Sequence, residues 1–218
     1  MSSYCFDRSV FAERSFLSER MIKLNKYKIR RLTVSGVFIA LSAVLSLVKF
    51  TLPINIHGGS ITLLSMLPIA MLSICYGTKW GVWTAFVYSL VQLFFGITMD
   101  GLFAWGLTPI VLIGTILLDY VIAFSVLGFS GVFTKKVVLG IIVGIAMTIS
   151  LRFVCHFISG VVLFGQFSES ASWIYSLTYN SSYMLPELII TVIAASVLFG
   201  LPQIKRLINQ LAQGNTSI

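Results

Sequence analysis

The sequence predicts an all-α integral membrane protein of six transmembrane helices with both termini in the cytoplasm. Three observations point there. The 218 residues are 57% hydrophobic and 10% charged, with a mean hydropathy of +0.97, too apolar and too poor in charge for a soluble domain of this length. Apolar stretches long enough to cross a bilayer alternate with short polar turns. The basic residues are also distributed asymmetrically: 13 of the 15 Lys and Arg lie in the N-terminal segment, in two alternate turns and in the tail.

In chain order, residues 1–30 form a polar, basic segment ahead of the apolar pattern. Together with Arg31 it carries Arg8, Arg14, Arg20, Lys23, Lys26, Lys28 and Arg30. It has neither the apolar stretch nor the small-residue cleavage site of a signal peptide, Met21 is an alternative start, and the segment is expected to be dispensable. Residues 31–202 are the six-helix membrane domain, and 203–218 a cytoplasmic tail with Lys205 and Arg206.

The first span covers residues 32–52, enough at 1.5 Å per residue to cross ~30 Å of hydrocarbon. Its Gly36-x-x-x-Ala40 spacing makes a face small enough for another helix to approach closely, and spacing alone suits packing inside this chain. Lys49 lies near the outer end, where it can snorkel to the interface. Pro53 ends the span, and the loop after it, which holds His57, is free of positive charge.

The second span, 61–76, is short and contains Pro68; the turn after it carries Lys79. The third, 82–98, places Tyr88 and Gln92 four apart on one face. The fourth, 107–133, holds Asp119-Tyr120 near its middle, and Lys135 and Lys136 mark the following turn. The fifth, 137–164, carries Arg152, Cys155 and His156 in its second half. A loop over 165–178, with Glu169 and no Lys or Arg, leads to the sixth span, 179–201, with Pro186 and Glu187.

Several function classes drop out. A formal charge of +8 gathered at membrane ends reports orientation, so no nucleic-acid partner is expected. There is no G-x-x-x-x-G-K-[ST] loop for ATP, and no H-E-x-x-H or C-x-x-C for metal or thiol chemistry. Cys5, Cys75 and Cys155 have no pairing pattern. No cofactor is expected, and an enzyme using Asp119 and His156 as acid and base lacks a nucleophile or metal set. Binding or moving something fits better.

Arg152 and His156 are the candidates for that task. They project from one helical face within an otherwise apolar span, where a charged side chain costs about 2.5–3.5 kcal/mol and is expected to face a partner or a cavity. Asp119 falls at similar depth, and the aromatic stretch 173–180 roofs the region. Two readings stand side by side: a pocket with a carboxylate, a guanidinium, an imidazole and aromatic faces, or a buried Asp119–Arg152 ion pair that fixes helix packing.

The stretches S-L-R-F-V-C-H-F-I-S-G-V-V-L-F-G-Q-F, W-I-Y-S-L-T-Y-N-S-S-Y-M-L-P and L-L-D-Y-V-I-A-F-S-V-L-G-F-S-G-V-F closely resemble the thiamine-specific substrate-binding component, or S component, of energy-coupling-factor (ECF) transporters. The resemblance covers residues 31–201. It implies a membrane subunit that binds thiamine from outside and associates with a transmembrane coupling (T) subunit and two cytoplasmic ATPase subunits. The family's site residues fall on Asp119, Tyr120, Arg152, His156, Phe164, Tyr175 and Asn180, and its docking face for the coupling subunit on Gly36 and Ala40. Some members have Glu, Lys and Trp where this chain has Asp119, Arg152 and Phe164; the last change offers a smaller, less electron-rich ring. The neighbouring alternative is a thiamine precursor such as a hydroxymethylpyrimidine or thiazole.

Overall fold

The computed structural model describes residues 3–50, 61–62, 64–133, 138–164 and 171–212, with side chains from Met21 onward apart from Lys23 and Ala212. It is mostly helical. Helix α1 (Ser3–Leu47) is followed by a two-residue antiparallel strand pair, β1 (Lys49–Phe50) with β2 (Ile61–Thr62), in the register Lys49 to Thr62. Then come α2 (Leu67–Tyr76), α3 (Thr78–Thr98), α4 (Pro109–Gly131), α5 (Val138–Phe164), α6 (Ser172–Gly200) and α7 (Pro202–Ala212). Among the described residues, five helical segments are long and apolar enough to cross a membrane: Leu24–Leu47 within α1, and α3, α4, α5 and α6.

Helix α2 is the exception, and burial explains it. Ten residues rise about 15 Å, half the hydrocarbon thickness. All ten are buried, and Ile61, Ser65 and Met66 before them are buried too. The expected span over 61–76 is therefore a strand, a turn and a half-length helix sheathed by the rest of the bundle. Non-helical backbone is tolerated at this level when protein covers it. The turn includes Leu64 at φ 56, a left-handed conformation that a leucine adopts only under tertiary constraint.

The core gathers around α2, with Tyr88, Phe124, Leu127, Ile145, Ile149 and Phe199 packed about it. Tyr88 meets Phe124 edge-on at 5.6 Å, and Gln92 Nε2 donates to the Tyr88 hydroxyl at 2.6 Å, as their spacing on α3 suggests. The described part of the expected tail lies in a helix, α7 (Pro202–Ala212), whose Ile208 and Leu211 bury against this core. By contrast the outward-turned surface is apolar, as lipid contact requires: Val37, Val44, Ile110, Leu139 and Ile193 are all exposed.

Three local expectations change. Lys49 lies on β1, beyond the end of α1, and its Nζ pairs with Asp100 Oδ1 at 2.8 Å. The loop expected over 165–178 is helical from Ser172 onward. Asp119 sits in a π-helical turn, Ile116–Ile122, where α4 carries a widened turn. His57 lies outside the described residues.

Candidate functional site

Three helices assemble the polar cluster. On α5, Arg152, His156 and Ser159 recur at helical spacing along one face, and Arg152 and Ser159 are buried. The π turn of α4 brings Asp119 opposite them. His156 Nδ1 lies 2.9 Å from Asp119 Oδ1, and Ser159 Oγ donates to Asp119 Oδ2 at 2.6 Å. Both carboxylate oxygens are thus held by α5, and each keeps one lone pair for another donor. His156 Nε2 is buried and has no partner among the described residues.

Helix α6 closes the third side with Ser176, Asn180, Tyr183 and Glu187, spaced four, three and four apart. Ser176 Oγ donates to Phe157 O at 2.7 Å. A Cβ on Gly160 would collide with Ser176 Oγ, so the glycine is what lets α5 and α6 approach here. Asn180 Nδ2 donates to His156 O at 3.2 Å and to Ser176 O at 2.9 Å, while Tyr183 OH donates to Asn180 Oδ1 at 2.7 Å. One Oδ1 lone pair of Asn180 remains open.

Arg152 does not pair with Asp119. Its Nη1 lies 3.5 Å from Glu187 Oε2 and donates to Met66 Sδ at 3.2 Å, and its guanidinium carbon sits 4.4 Å from the centre of the Phe124 ring. Glu187 also accepts from Thr62 Oγ1 on β2. The packing-pair reading therefore holds for a different carboxylate. Arg152 is partnered by Glu187, and Asp119 by His156 and Ser159.

Aromatic residues extend from this cluster along α6, where Tyr183 is bonded to Asn180. Tyr175 and Tyr179 stack at 5.9 Å and 9°, and Tyr179 meets Tyr183 at 5.5 Å. Phe164 packs edge-on against Trp105 at 6.4 Å, and Trp105 Nε1 is fixed by Asp100 O at 2.9 Å. Tyr120 leans across α3 at Gly96, where a Cβ would meet its ring. Of the expected residues, Asp119, His156 and Asn180 are brought together directly. Arg152 belongs to an adjoining network; Tyr175 stacks on Tyr179 of the same helix, Phe164 packs against Trp105, and Tyr120 lies against Gly96.

Ser159, Trp105, Tyr183 and Glu187 are additions that sequence reasoning did not select. Ser159 follows His156 by three residues, and Glu187 follows Asn180 by seven. Each shares a face with a residue that was selected, and that spacing was the available signal.

Gly36 and Ala40 lie together on an exposed face of α1, and a Cβ on Gly36 would meet nothing within 4 Å. Among the described residues no helix of this chain packs there, so internal packing does not account for the small-residue spacing.

Fold and site together define a multi-pass membrane protein with a hydrogen-bonded polar cluster among its spanning helices. The chain belongs to the thiamine transporter protein family (Thia_YuaJ), which its residues 32–206 match. It is 34% identical over 183 residues to the thiamine transporter ThiT of Bacillus subtilis, covering 78% of this chain and 90% of that one. A second relative, ThiT of Lacticaseibacillus paracasei, is 29% identical over 151 residues, covering 61% of this chain and 70% of that one. The solved structure of ThiT from Listeria monocytogenes superposes with a TM-score of 0.62 at 23% identity, covering 81% of this chain and 97% of that one, and so shares the fold. The protein is accordingly a multi-pass protein of the bacterial plasma membrane.

Proposed function

We propose that this chain binds thiamine from outside the cell and serves as the substrate-specific S component of an ECF-type transporter. In this reading it crosses the membrane six times, α2 with its preceding strand making the short crossing, and both termini are cytoplasmic. It has no catalytic activity of its own; ATP hydrolysis belongs to two cytoplasmic ATPase subunits joined to it through a transmembrane coupling subunit. The names of its relatives support thiamine as the cargo.

The observation that carries the reading is the division of partners. Arg152 pairs with Glu187, whereas Asp119 meets His156 and Ser159 and has no arginine or lysine beside it among the described residues. A carboxylate without an arginine or lysine partner, in a bundle whose α6 carries stacked tyrosines, suits a monocation with a flat π system. Thiamine is such a molecule, with a permanently charged thiazolium and an aminopyrimidine.

Asp119 holds the cationic or amino side of the ligand. With its Nδ1 proton on Asp119, His156 offers Nε2 as an acceptor to the pyrimidine amine, and Asn180 Oδ1 offers another. Tyr175 serves the pyrimidine edge, and Phe164, braced by Trp105, supplies an aromatic face. Tyr120 fills the wall behind Asp119. Arg152 touches no cation; it neutralises Glu187 and so tethers β2 through Thr62.

Titration of the purified chain with thiamine in the absence of ATP, followed by calorimetry, tests this. One-to-one binding is expected, with the isolated hydroxymethylpyrimidine and thiazole halves binding much more weakly because each lacks part of the contact set. Tighter binding of a half molecule would transfer the assignment to a precursor, and no binding by any of the three would overturn it.

A further inference from the structure

A second built site lies where α1 meets the turn between α2 and α3, formed by residues that take no part in the Asp119 cluster. Ser35 Oγ donates to Arg31 O at 2.8 Å and accepts from Trp80 Nε1 at 2.9 Å. Trp80 is thereby fixed, and the Arg31 guanidinium lies over its ring at 3.8 Å, with the Tyr27 ring at 5.5 Å. An arginine stacked in this way keeps its hydrogen-bonding edge open for a planar or tetrahedral anion.

Arg31 lines a cavity of about 420 Å³, together with Tyr76, Lys79, Trp80, Trp83 and the turn that begins α3. Tyr76 is only 4% exposed, yet its hydroxyl has no hydrogen-bond partner among the described residues, and neither has Arg31 Nε. The first turn of α3 has no side-chain cap and no acidic residue, so its N–H groups are open to an anion. None of the described carboxylates, Asp100, Asp119 and Glu187, lines the cavity. Trp83 is 66% exposed at the rim, where an indole suits the boundary between headgroups and acyl chains.

We propose that this cavity binds a phosphate group, presented by the headgroup of an anionic membrane phospholipid. The Arg31 fork takes two phosphate oxygens, Lys79 adds a point charge, and the Tyr76 hydroxyl and the start of α3 donate to the remaining oxygens. Trp83 covers the glycerol side. Basic pockets between spanning helices at a membrane surface recognise anionic headgroups by this chemistry. The site depends on the chain lying in a membrane and is independent of what the Asp119 cluster binds.

The test uses the full chain in nanodiscs of phosphatidylcholine mixed with phosphatidylglycerol, with retained lipid counted by native mass spectrometry. Phosphatidylglycerol should be enriched on the wild type, and Lys79→Gln should cut that enrichment about fivefold, as expected for one cation near a charged surface. Lys79 is exposed, so this variant keeps its fold and its thiamine affinity. Arg31→Gln should cut enrichment further, and Tyr76→Phe should weaken it with both charges in place. In a parallel arm, inorganic phosphate is added to the chain in phosphatidylcholine alone; thermal stabilisation that disappears in Lys79→Gln, without lipid enrichment, would assign the same site to free phosphate. Equal phosphatidylglycerol retention by wild type and Lys79→Gln, with no response to phosphate, would overturn the proposal. A wild type that binds no thiamine would bear on the transport reading alone.

Discussion

Asp119 and Glu187 are both carboxylates enclosed by the bundle, but their partners give them opposite tasks. Glu187 meets a guanidinium and a threonine hydroxyl, so its charge is spent within the structure. Asp119 meets an imidazole and a serine, which orient it. Glu187→Gln should therefore do two things at once. Leaving Arg152 buried and unpaired is expected to destabilise the chain by about 3–5 kcal/mol, and the exposed positive field should weaken binding of a cation. Adding Arg152→Met removes the orphaned charge and should recover both the melting temperature and the affinity; recovery of stability alone would show that Arg152 has a direct part in binding. The sequence announced Arg152 as a charge in need of a partner but not which one. Helical spacing fixes which residues share a face of one helix, whereas choosing between Asp119 and Glu187 depends on how three helices rotate against one another. By the same logic the polar atoms of His156 and Asn180 were legible as candidates, while Ser159 looked like an ordinary small residue of an apolar span.

The helices themselves were largely readable, because a spanning length of apolar residues permits little else. Three segments were not. The start of α6, with Ser172, Trp173, Tyr175, Thr178 and Asn180, is rich in weak helix formers and reads as loop, but Ser176 and Asn180 satisfy their polar groups against α5 and the helix holds. The π turn at Asp119 has no sequence signature; it is recognised by the wider backbone that points the carboxylate at His156. The break before α2 was visible only as Pro68 and a short apolar run. Helix α1 supports a prediction of its own, since Gly36 and Ala40 are both exposed and, among the described residues, a Cβ on Gly36 would meet nothing within 4 Å. Gly36→Leu and Ala40→Leu should leave thiamine binding by the isolated chain unchanged while abolishing uptake by cells that carry the coupling and ATPase subunits. Loss of binding by the purified variants would show instead that the face shapes the bundle.

At the scale of the whole molecule, the distribution of charge does two separate jobs. Basic residues concentrated in the N-terminal segment, two alternate turns and the tail set the orientation proposed here. Within the bundle, Arg152 is taken up by Glu187, and Asp119 is left with His156 and Ser159 as its partners among the described residues. In the proposed function this carboxylate holds the ligand's cation, and Asp119→Asn separates its charge from its shape. The amide keeps the shape of the carboxylate and can still bond His156 and Ser159, so the melting temperature should stay close to that of the wild type. Thiamine affinity, measured by titration of the two purified proteins side by side, should fall by roughly 30-fold to several thousand-fold, the equivalent of about 2–5 kcal/mol for a charge contact in a partly desolvated site. Near-native affinity in a well-folded Asp119→Asn variant would contradict the account, because the ligand's cation would then be held by something other than this carboxylate.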